Sequence, residues 1–390
     1  MPEAVIVSAV RTPIATARKG ALADTTAEAI AKAVLEAAVA RSGLSPEQVD
    51  DIIFAESLYG GGVLARHAAV EAGMNSVSGM AVNRHCAGSL TSVGAAAGSI
   101  RAGMDRVVVA GGVQASSLSP QMRQRIPGSD DFAENWRPGS HPDRPDAPNS
   151  DMSWLVGWNT AKECGITRED MDAWALRSHQ RAVAAQDAGL FDDEIVPIQA
   201  LQRDGTYKTF TKDEHPRRDS SMERLASLKV IHPEIEGFNI TAGNASGVND
   251  AGAALMIVSD EFAKANGLEV LGTVKSWAAA GVDPYFTGMA PISVIPKVLD
   301  RAGLRKDDVK LWEINEAFAS VPIAAVRKLE LDEDKVNVFG SGCSLGHPIA
   351  ATGARMLATL VHDLRRRGGG VGLATMCAGG GMAGAVVIEV

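Results

Sequence analysis

The chain has 390 residues, of which 46% are apolar and 22% charged, and a net charge of −9. That length accommodates two or three domains with sizeable cores, and the acidic balance argues against general nucleic-acid binding, so an anionic ligand needs a local basic patch. No apolar run reaches membrane-spanning length, and the opening MPEAVIVSAVRT enters a strand without a charged and then apolar leader, so the expected location is the cytoplasm, with no membrane partner. Residues 5–10 read as a buried strand. Residues 25–41 read as a helix with Asp24 as N-cap and Glu28 at a capping-box distance. Residues 49–56 form a strand, broken by Gly60, Gly61 and Gly62. Residues 89–103 are rich in Ala, with Leu90, Val93, Ala97 and Ile100 on one helical stripe. A strand follows at 106–112. Strands alternating with helices imply βαβ units and a mainly parallel sheet.

From about Ser119 the texture changes. Residues 137–148 (RPGSHPDRPDAP) are too rich in proline and charge for a core and read as an exposed loop. Residues 168–188 form an amphipathic helix with Thr167 as N-cap. Residues 202–229 are locally basic and read mostly as solvated surface. Glycine-rich residues 241–252 lead into a strand at 254–258.

The last third repeats the first. Arg41, Gly43, Leu44 and Val49 match Arg301, Gly303, Leu304 and Val309 at a constant offset of 260 residues. At nearly that offset Cys86 falls opposite Gly346 and His347, and residues 107–112 opposite 372–377. The pattern is an internal duplication of a βαβαβ unit. It divides the chain into a first half at 1–118 plus 246–269, an inserted loop domain at 119–245, and a second half at 270–390.

Cys86 stands at or just before the start of the 89–103 helix. A helix start favours thiolate over thiol, although a lone cysteine there also reads as a small buried apolar residue. The duplication places His347 at the equivalent helix start, before a helix over 349–367. A Cys–His pair at hydrogen-bond reach is the outline of an activated thiol nucleophile. Cys377 follows a strand over 371–376, and Ala378-Gly379-Gly380-Gly381 makes a turn able to aim N–H groups inward. Asn315 follows a strand over 310–314. The four cysteines form no CxxC pair and no metal-ligand spacing, so neither a disulfide framework nor a metal site is expected, and a reducing compartment suits them. Cys164 and Cys343 read as structural, with Cys343 close to the site.

The motifs Val82-Asn83-Arg84-His85-Cys86-Ala87, Asp213-Glu214-His215-Pro216-Arg217, Thr241-Ala242-Gly243-Asn244-Ala245-Ser246-Gly247, Asn315-Glu316-Ala317-Phe318, Gly346-His347-Pro348 and Cys377-Ala378-Gly379-Gly380-Gly381 occur in this order over nearly the whole chain. This set resembles the thiolase family. The resemblance implies an α/β fold in which the duplicated halves stack as a five-layer α-β-α-β-α core, with the insert binding coenzyme A. It implies thiolytic cleavage of 3-oxoacyl-CoA, or the reverse Claisen condensation, through an acyl-cysteine. Cys86 would be the nucleophile, His347 its base and Cys377 the general acid/base. Asn315 with His347 would serve the thioester oxygen, and the N–H groups of Cys86 and Gly379 a second oxyanion hole. Arg217 would meet the CoA nucleotide and Ser246 the pantetheine or phosphate region, with Ala242 and Phe318 also on the substrate. CoA enters as a co-substrate rather than a resident cofactor, no metal is implied, and a homodimer or homotetramer is expected. A ketosynthase-like condensing enzyme would show a Cys-His-His set, against which Asn315 and Cys377 speak. A non-catalytic CoA- or lipid-binding relative would lack Cys86 or His347, and both are present.

The sequence departs from the family pattern around the acyl group. Ala87-Gly88-Ser89 follows the cysteine in place of Ala-Ser-Gly, Gln114 replaces a glutamate, and Ser341-Gly342-Cys343-Ser344 precedes the histidine motif. Residues 152–158 (MSWLVGW) stand where acetoacetyl-specific members carry His-Met-Gly, and Thr287 where they carry a pocket methionine. These departures imply an acyl group other than acetoacetyl.

Overall fold

The computed structural model describes residues 1–59 and 61–390, so Gly60 of the expected glycine break lies outside the described residues. The first half contributes β1 (Ala4–Arg11), α1 (Ala27–Ser42), β2 (Asp51–Glu56), α2 (Leu64–Glu71), β3 (Met80–Val82), α3 (Gly88–Arg101) and β4 (Val107–Ala115). The insert holds a long helix, α4 (Arg168–Asp187). The chain then returns through β5 (Asn249–Ser259), β6 (Gly272–Gly281), α5 (Ala290–Ala302), β7 (Val309–Ile314), α6 (Ser320–Leu329), α7 (Thr352–Arg366), β8 (Val371–Ala378) and β9 (Met382–Glu389).

The strands run in the order β7-β8-β9-β6-β1-β5-β4-β2-β3, with the two-residue strand Ala15–Thr16 on β5. The halves meet at a narrow seam, where Val5 pairs with Thr273 and Ile6 with Gly272. α1 and α2 cover one outer face around Ile30, Val34 and Leu35. α5 and α6 cover the other, around Val294, Val298 and Ile323. α3 and α7 lie between the sheets, around Leu90, Val93, Leu357 and Leu360. These are the five layers, α-β-α-β-α. α3 has apolar or small residues on nearly every side because it is enclosed on both faces. β4 and β5 are buried along their full length and so read as continuous apolar runs rather than alternating ones.

Several local expectations change. The sheet is not mainly parallel. Only β2 with β3, β2 with β4, and β7 with β8 are parallel, whereas β1–β5, β5–β4, β8–β9 and β9–β6 are antiparallel. Each half ends in a return strand that arrives without a crossover helix, through the long insert before β5 and a tight glycine turn before β9. The N-cap of α1 is Thr26, whose Oγ1 accepts from Ala29 N at 3.2 Å; Asp24 is two residues too early to reach an N–H of the first turn. The helix after His347 begins at Thr352 rather than 349, because Pro348 first makes a turn in which its carbonyl accepts from the N–H groups of Ala351 and Thr352. Thr167 caps α4 as expected, with a reciprocal bond from Asp170.

The insert is fastened to the first half by a buried charge cluster. Arg11 Nε donates to Glu194 Oε1 at 2.7 Å, and Nη1 and Nη2 donate to the Asp213 carboxylate at 2.7 and 2.9 Å. Asp213 also accepts from Ile14 N at 2.7 Å. Removing one member of such a cluster strands the others without a partner. Arg11→Leu should therefore lose about 3–5 kcal/mol of stability, read as a lower urea midpoint. An unchanged midpoint would show that the insert is held by other contacts.

Candidate active site

Cys86 lies on the turn between β3 and α3, immediately before the N-cap residue Ala87. The turn is tied by side chain and backbone. Asn83 Oδ1 accepts from His85 N at 2.8 Å, and Gly88 N donates to His85 O at 3.0 Å. His85 takes a left-handed backbone, φ 44°, which is uncommon for a residue with a side chain. The Cys86 sulfur accepts from the Gly379 N–H, so the nucleophile turn and the glycine turn touch. The expectation that the helix start holds a thiolate does not describe this resting state. Burial pushes the thiol up to about 11, against the opposing effect of the Gly379 and Cys86 N–H groups. A helix start contributes roughly 0.3–1 kcal/mol, less than the about 1.4 kcal/mol of one pKa unit, so burial wins.

His347 is buried in the turn that precedes α7. Its backbone N–H donates to Asn249 Oδ1 at 3.0 Å. Gly346 before it has φ 98°, and a Cβ there would strike that same Asn249 amide, so glycine is required. The ring has a defined tautomer. Thr352 Oγ1 lies 2.8 Å from Pro348 O, which can only accept, and 2.7 Å from His347 Nδ1. The hydroxyl proton goes to the carbonyl, so Nδ1 carries the ring proton and Nε2 is the unprotonated nitrogen, with the Asn315 amide 3.5 Å away. Burial first, and the charge of Arg355 second, lower the His347 pKa to about 3. The expected hydrogen bond between Cys86 and His347 is not formed in this state. The Cys86 sulfur is held by Gly379, while His347 faces Thr352 and Asn315.

Asn315 Nδ2 stands 3.4 Å from His347 Nδ1 and 3.5 Å from Nε2. Among the described residues its buried Oδ1 has no hydrogen-bond partner. The next residue, Glu316, anchors the motif. It accepts from Trp174 Nε1 at 2.9 Å, Ser178 Oγ at 2.6 Å, Asn337 Nδ2 at 2.8 Å and Cys343 N at 3.1 Å. Two of those donors sit on α4, so the insert steadies the Asn315 segment.

Cys377 lies inside β8, opposite Ala383 of β9, rather than after the strand. The hairpin closes through Gly379, Gly380 and Gly381, the last two with φ 83° and 75°. Burial, and then the neighbouring Cys86, push the Cys377 thiol well up. The two cysteines therefore share one electrostatic environment. Gly381 N donates to Thr287 Oγ1 at 3.0 Å, so the threonine that replaces a pocket methionine pins the turn.

The residues expected on CoA separate into two groups. Arg217 and Ala242 line a cavity of 320 Å³ with His179, His215, Leu228 and Cys343. Burial first lowers both His179 and His215 to about 4, so both rings are neutral. Arg218 and Arg224 pair with Asp187 and Asp219, whereas Arg217, exposed at this cavity, is engaged among the described residues only through its backbone, from N to His179 Nδ1 at 3.1 Å. Ser246 and Phe318 stand outside that lining, on the neighbouring backbone contact where Ser246 N donates to Ala317 O at 2.9 Å and Phe318 bridges to Ala245.

Sequence reasoning missed Thr352, which sets the His347 tautomer, and Ser140, which reaches the glycine turn. Thr352 carried a signal, lying five residues after the histidine at a helix start. Ser140 carried none. Residues 137–148 were expected as a plain exposed loop, yet a Cβ on Gly380 would lie 2.6 Å from Ser140 Oγ.

Two family models match the chain: "Thiolase, N-terminal domain" over residues 4–261 and "Thiolase, C-terminal domain" over residues 268–390. The chain is 40% identical over 401 residues to an acetyl-CoA acetyltransferase of Cupriavidus necator, spanning 100% of both chains. It is 38% identical to a peroxisomal 3-ketoacyl-CoA thiolase of Arabidopsis thaliana, over 99% of this chain and 85% of that one. The fold is similar to the crystal structure of the Bacillus anthracis acetyl-CoA acetyltransferase, with a TM-score of 0.90, 39% identity, and coverage of 100% of this chain and 99% of that one.

The two glycines of the turn should respond differently to a methyl group. A Cβ on Gly379 meets nothing nearer than 3.8 Å, whereas one on Gly380 meets Ser140 with the backbone left-handed. Gly380→Ala should lose roughly 1–2 kcal/mol, while Gly379→Ala melts at or slightly above the parent yet slows alkylation of Cys86. Equal melting losses for the two would show that the turn is not built as described.

Proposed function

The chain belongs to the thiolase family of acyltransferases, and on that premise we propose that Cys86, His347, Cys377 and Asn315 carry an acyl group between two CoA thiols. The activity is that of an acyl-CoA:acetyl-CoA C-acyltransferase, cleaving 3-oxoacyl-CoA or running the Claisen condensation in reverse. The observation that carries the site reading is a buried His347 whose unprotonated Nε2 stands 3.5 Å from the Asn315 amide. It is a neutral base, and Cys86 and Cys377 are the neighbouring pair of thiols.

Cys86 Sγ attacks the 3-oxo carbon, and its proton passes to His347 Nε2. Burial favours neutral thiol and neutral imidazole, so attack and proton transfer are coupled rather than sequential. The C2–C3 bond then breaks, and its electron pair leaves as the enolate of acetyl-CoA. Hydrogen-bond donors at the oxygen stabilise that charge in a site with little water. The Cys377 thiol, kept protonated by burial, delivers its proton to C2. The acyl group remains on Cys86. An incoming CoA thiol gives its proton to the Cys377 thiolate and attacks the thioester, and Cys86 departs with the proton held on His347. Both cysteines and the histidine return to their starting forms.

CoA and acyl-CoA are the partners of this reading. Arg217 offers an exposed guanidinium for the anionic end of CoA, with Ala242 in the same cavity and Ser246 and Phe318 on the adjoining backbone. A homo-oligomer fits the edge strand β3, where Met80 is exposed beside unpaired backbone groups. Four free thiols suit the reducing cytoplasm, and among the described residues no helix is long and apolar enough to cross a membrane.

Cys86→Ala should retain the fold and lose the acyl-enzyme adduct seen by intact-mass spectrometry with 3-oxoacyl-CoA. An undiminished adduct removes Cys86 from its role. In the free enzyme, Cys86 alkylation should keep rising about tenfold per pH unit past pH 9, because the raised thiol pKa leaves little thiolate at neutrality. A plateau by pH 7 would instead require a preformed thiolate. Across short, medium and long 3-oxoacyl-CoA substrates, acetoacetyl-CoA should not be the best; a sharp optimum there contradicts the altered pocket.

A further inference from the structure

Arg355, Glu313 and Ser341 form a polar cluster in which each residue is at most 2% exposed. Arg355 Nη1 donates to Glu313 Oε2 and Nη2 to Ser341 Oγ, both at 2.9 Å, and Ser341 Oγ donates to Glu313 Oε2 at 3.3 Å. The three residues belong to three segments. Glu313 is on β7, two residues before Asn315, whose N–H continues the ladder to Thr375 O at 3.0 Å. Side chains two apart on such a path share a face. Ser341 opens the short helical turn Gly342–Leu345 that leads to His347. Arg355 is on α7, three residues after Thr352, and that spacing puts both on one helix face. Thr352 in turn holds His347 Nδ1. One guanidinium therefore ties the strand that carries Asn315, the turn that carries His347 and the helix that orients the His347 ring.

Among the described residues, no strong hydrogen bond fixes the Asn315 side chain against His347. Its amide stands 3.4 and 3.5 Å from the two ring nitrogens, and its Oδ1 has no partner. The turn limits its position instead. A Cβ on Gly342, the residue after Ser341, would lie 2.5 Å from Glu316 O and 3.0 Å from Asn315 Oδ1. The Gly342 backbone thus rests on the Asn315 segment, and Arg355 grips that backbone one residue earlier.

Packing alone does not account for the cluster. Burial raises the Glu313 pKa while Arg355 opposes the rise, and Arg355 Nε has no partner among the described residues. Apolar side chains of similar volume would fill the same space without desolvating two charges and a donor. They would not supply direction. A planar guanidinium fixes two acceptors at set angles, which an ammonium on a flexible stem does not.

We propose that Arg355 is a positioning residue for acyl transfer, holding Glu313 and Ser341 so that the Asn315 amide and the His347 ring keep the spacing that the reaction uses. The proposal rests on the reading of His347 as the base. Among the described residues the Arg355 side chain bonds only Glu313 and Ser341, so it acts through them. Its loss falls on the chemical step, because the cavity of Arg217 and Ala242 is lined by the insert at every residue but Cys343.

The test measures kcat and KM for CoA in thiolysis of 3-oxohexanoyl-CoA, with a melting curve for each variant. Arg355→Met/Glu313→Leu/Ser341→Ala leaves no stranded charge and should melt near the parent. Its kcat should nevertheless fall at least about tenfold, since small misplacements of reacting groups are costly, while KM for CoA stays near the wild-type value. Arg355→Lys keeps the charge without the fork, and Ser341→Ala keeps the ion pair but cuts the tie to the turn; both should lower kcat in the same way. A folded triple variant with wild-type kcat overturns the proposal, as does a KM for CoA that rises as far as kcat falls. Should the triple variant not fold, unchanged kcat in both Arg355→Lys and Ser341→Ala overturns it. The rate of acyl-Cys86 formation in His347→Ala, followed by intact mass, separates the two readings. Acylation as fast as in the wild type removes the base and the proposal with it. Acylation lost in His347→Ala but unchanged in the Arg355 variants removes only the positioning role.

Discussion

Where the two central helices touch, their backbones are almost in contact, and the geometry of the site depends on that touch. Ala354 N donates to Ser89 Oγ at 3.0 Å, and a Cβ on Gly353 would lie 2.7 Å from Leu90 Cγ and 2.8 Å from Leu90 N. Gly88 approaches Ala55 closely enough that a Cβ would meet its methyl at 2.8 Å. Small residues at the starts of α3 and α7 let the helices approach closely, and a close-packed interior does not yield when that distance is perturbed. Cys86 stands just before one helix and His347 just before the other. The helix contact thus fixes the separation between nucleophile and base, although neither residue takes part in it.

The site is kept neutral by the same burial that shapes it. Cys86 and Cys377 are raised, and His347 is lowered, because charging any of them would cost it the solvation that the surrounding protein displaces. The formal charges lie one layer away. Arg355 Nη1 donates to Glu313 Oε2 at 2.9 Å and Nη2 to Ser341 Oγ at 2.9 Å, all buried. Arg355 adds to the depression of the His347 pKa, so an ion pair outside the chemistry helps keep the base unprotonated. Hydrogen bonds with fixed direction do the positioning: Thr352 on His347, Gly379 on Cys86, and four donors on Glu316.

The insert shapes the chemistry as well as offering a cavity. Through Trp174 and Ser178 it grips Glu316 beside Asn315, and its Ser140 and Met152 pack beside Gly379. Its attachment through Arg11, Glu194 and Asp213 lies far along the chain from all of these. Asp213, the first residue of the motif in the basic stretch, is structural, whereas the exposed side chain of Arg217, four residues later, has no partner among the described residues.

The sequence alone pointed to the duplication, the class of fold and the family, and it singled out Cys86, Asn315, His347 and Cys377 as the candidate reactive set. Helical stripes, strand runs and ordered motifs are local signals, and the offset between the halves turned two of them into a pair. It could not decide the protonation of that pair, because pKa depends on how much protein surrounds a group, and the helix-start argument for a thiolate gave way to burial. Nor could it decide that β5 and β9 return antiparallel, since alternation of elements does not encode strand direction. Thr352 was within reach of the motif but needed the turn at Pro348 to give it a role. Ser140 and Met152 meet Gly379 only after more than two hundred residues of intervening chain have folded. The candidate reactive residues were legible because such chemistry needs particular side chains; the surroundings of the glycine turn were not, because they are contacts between distant elements that only packing brings together.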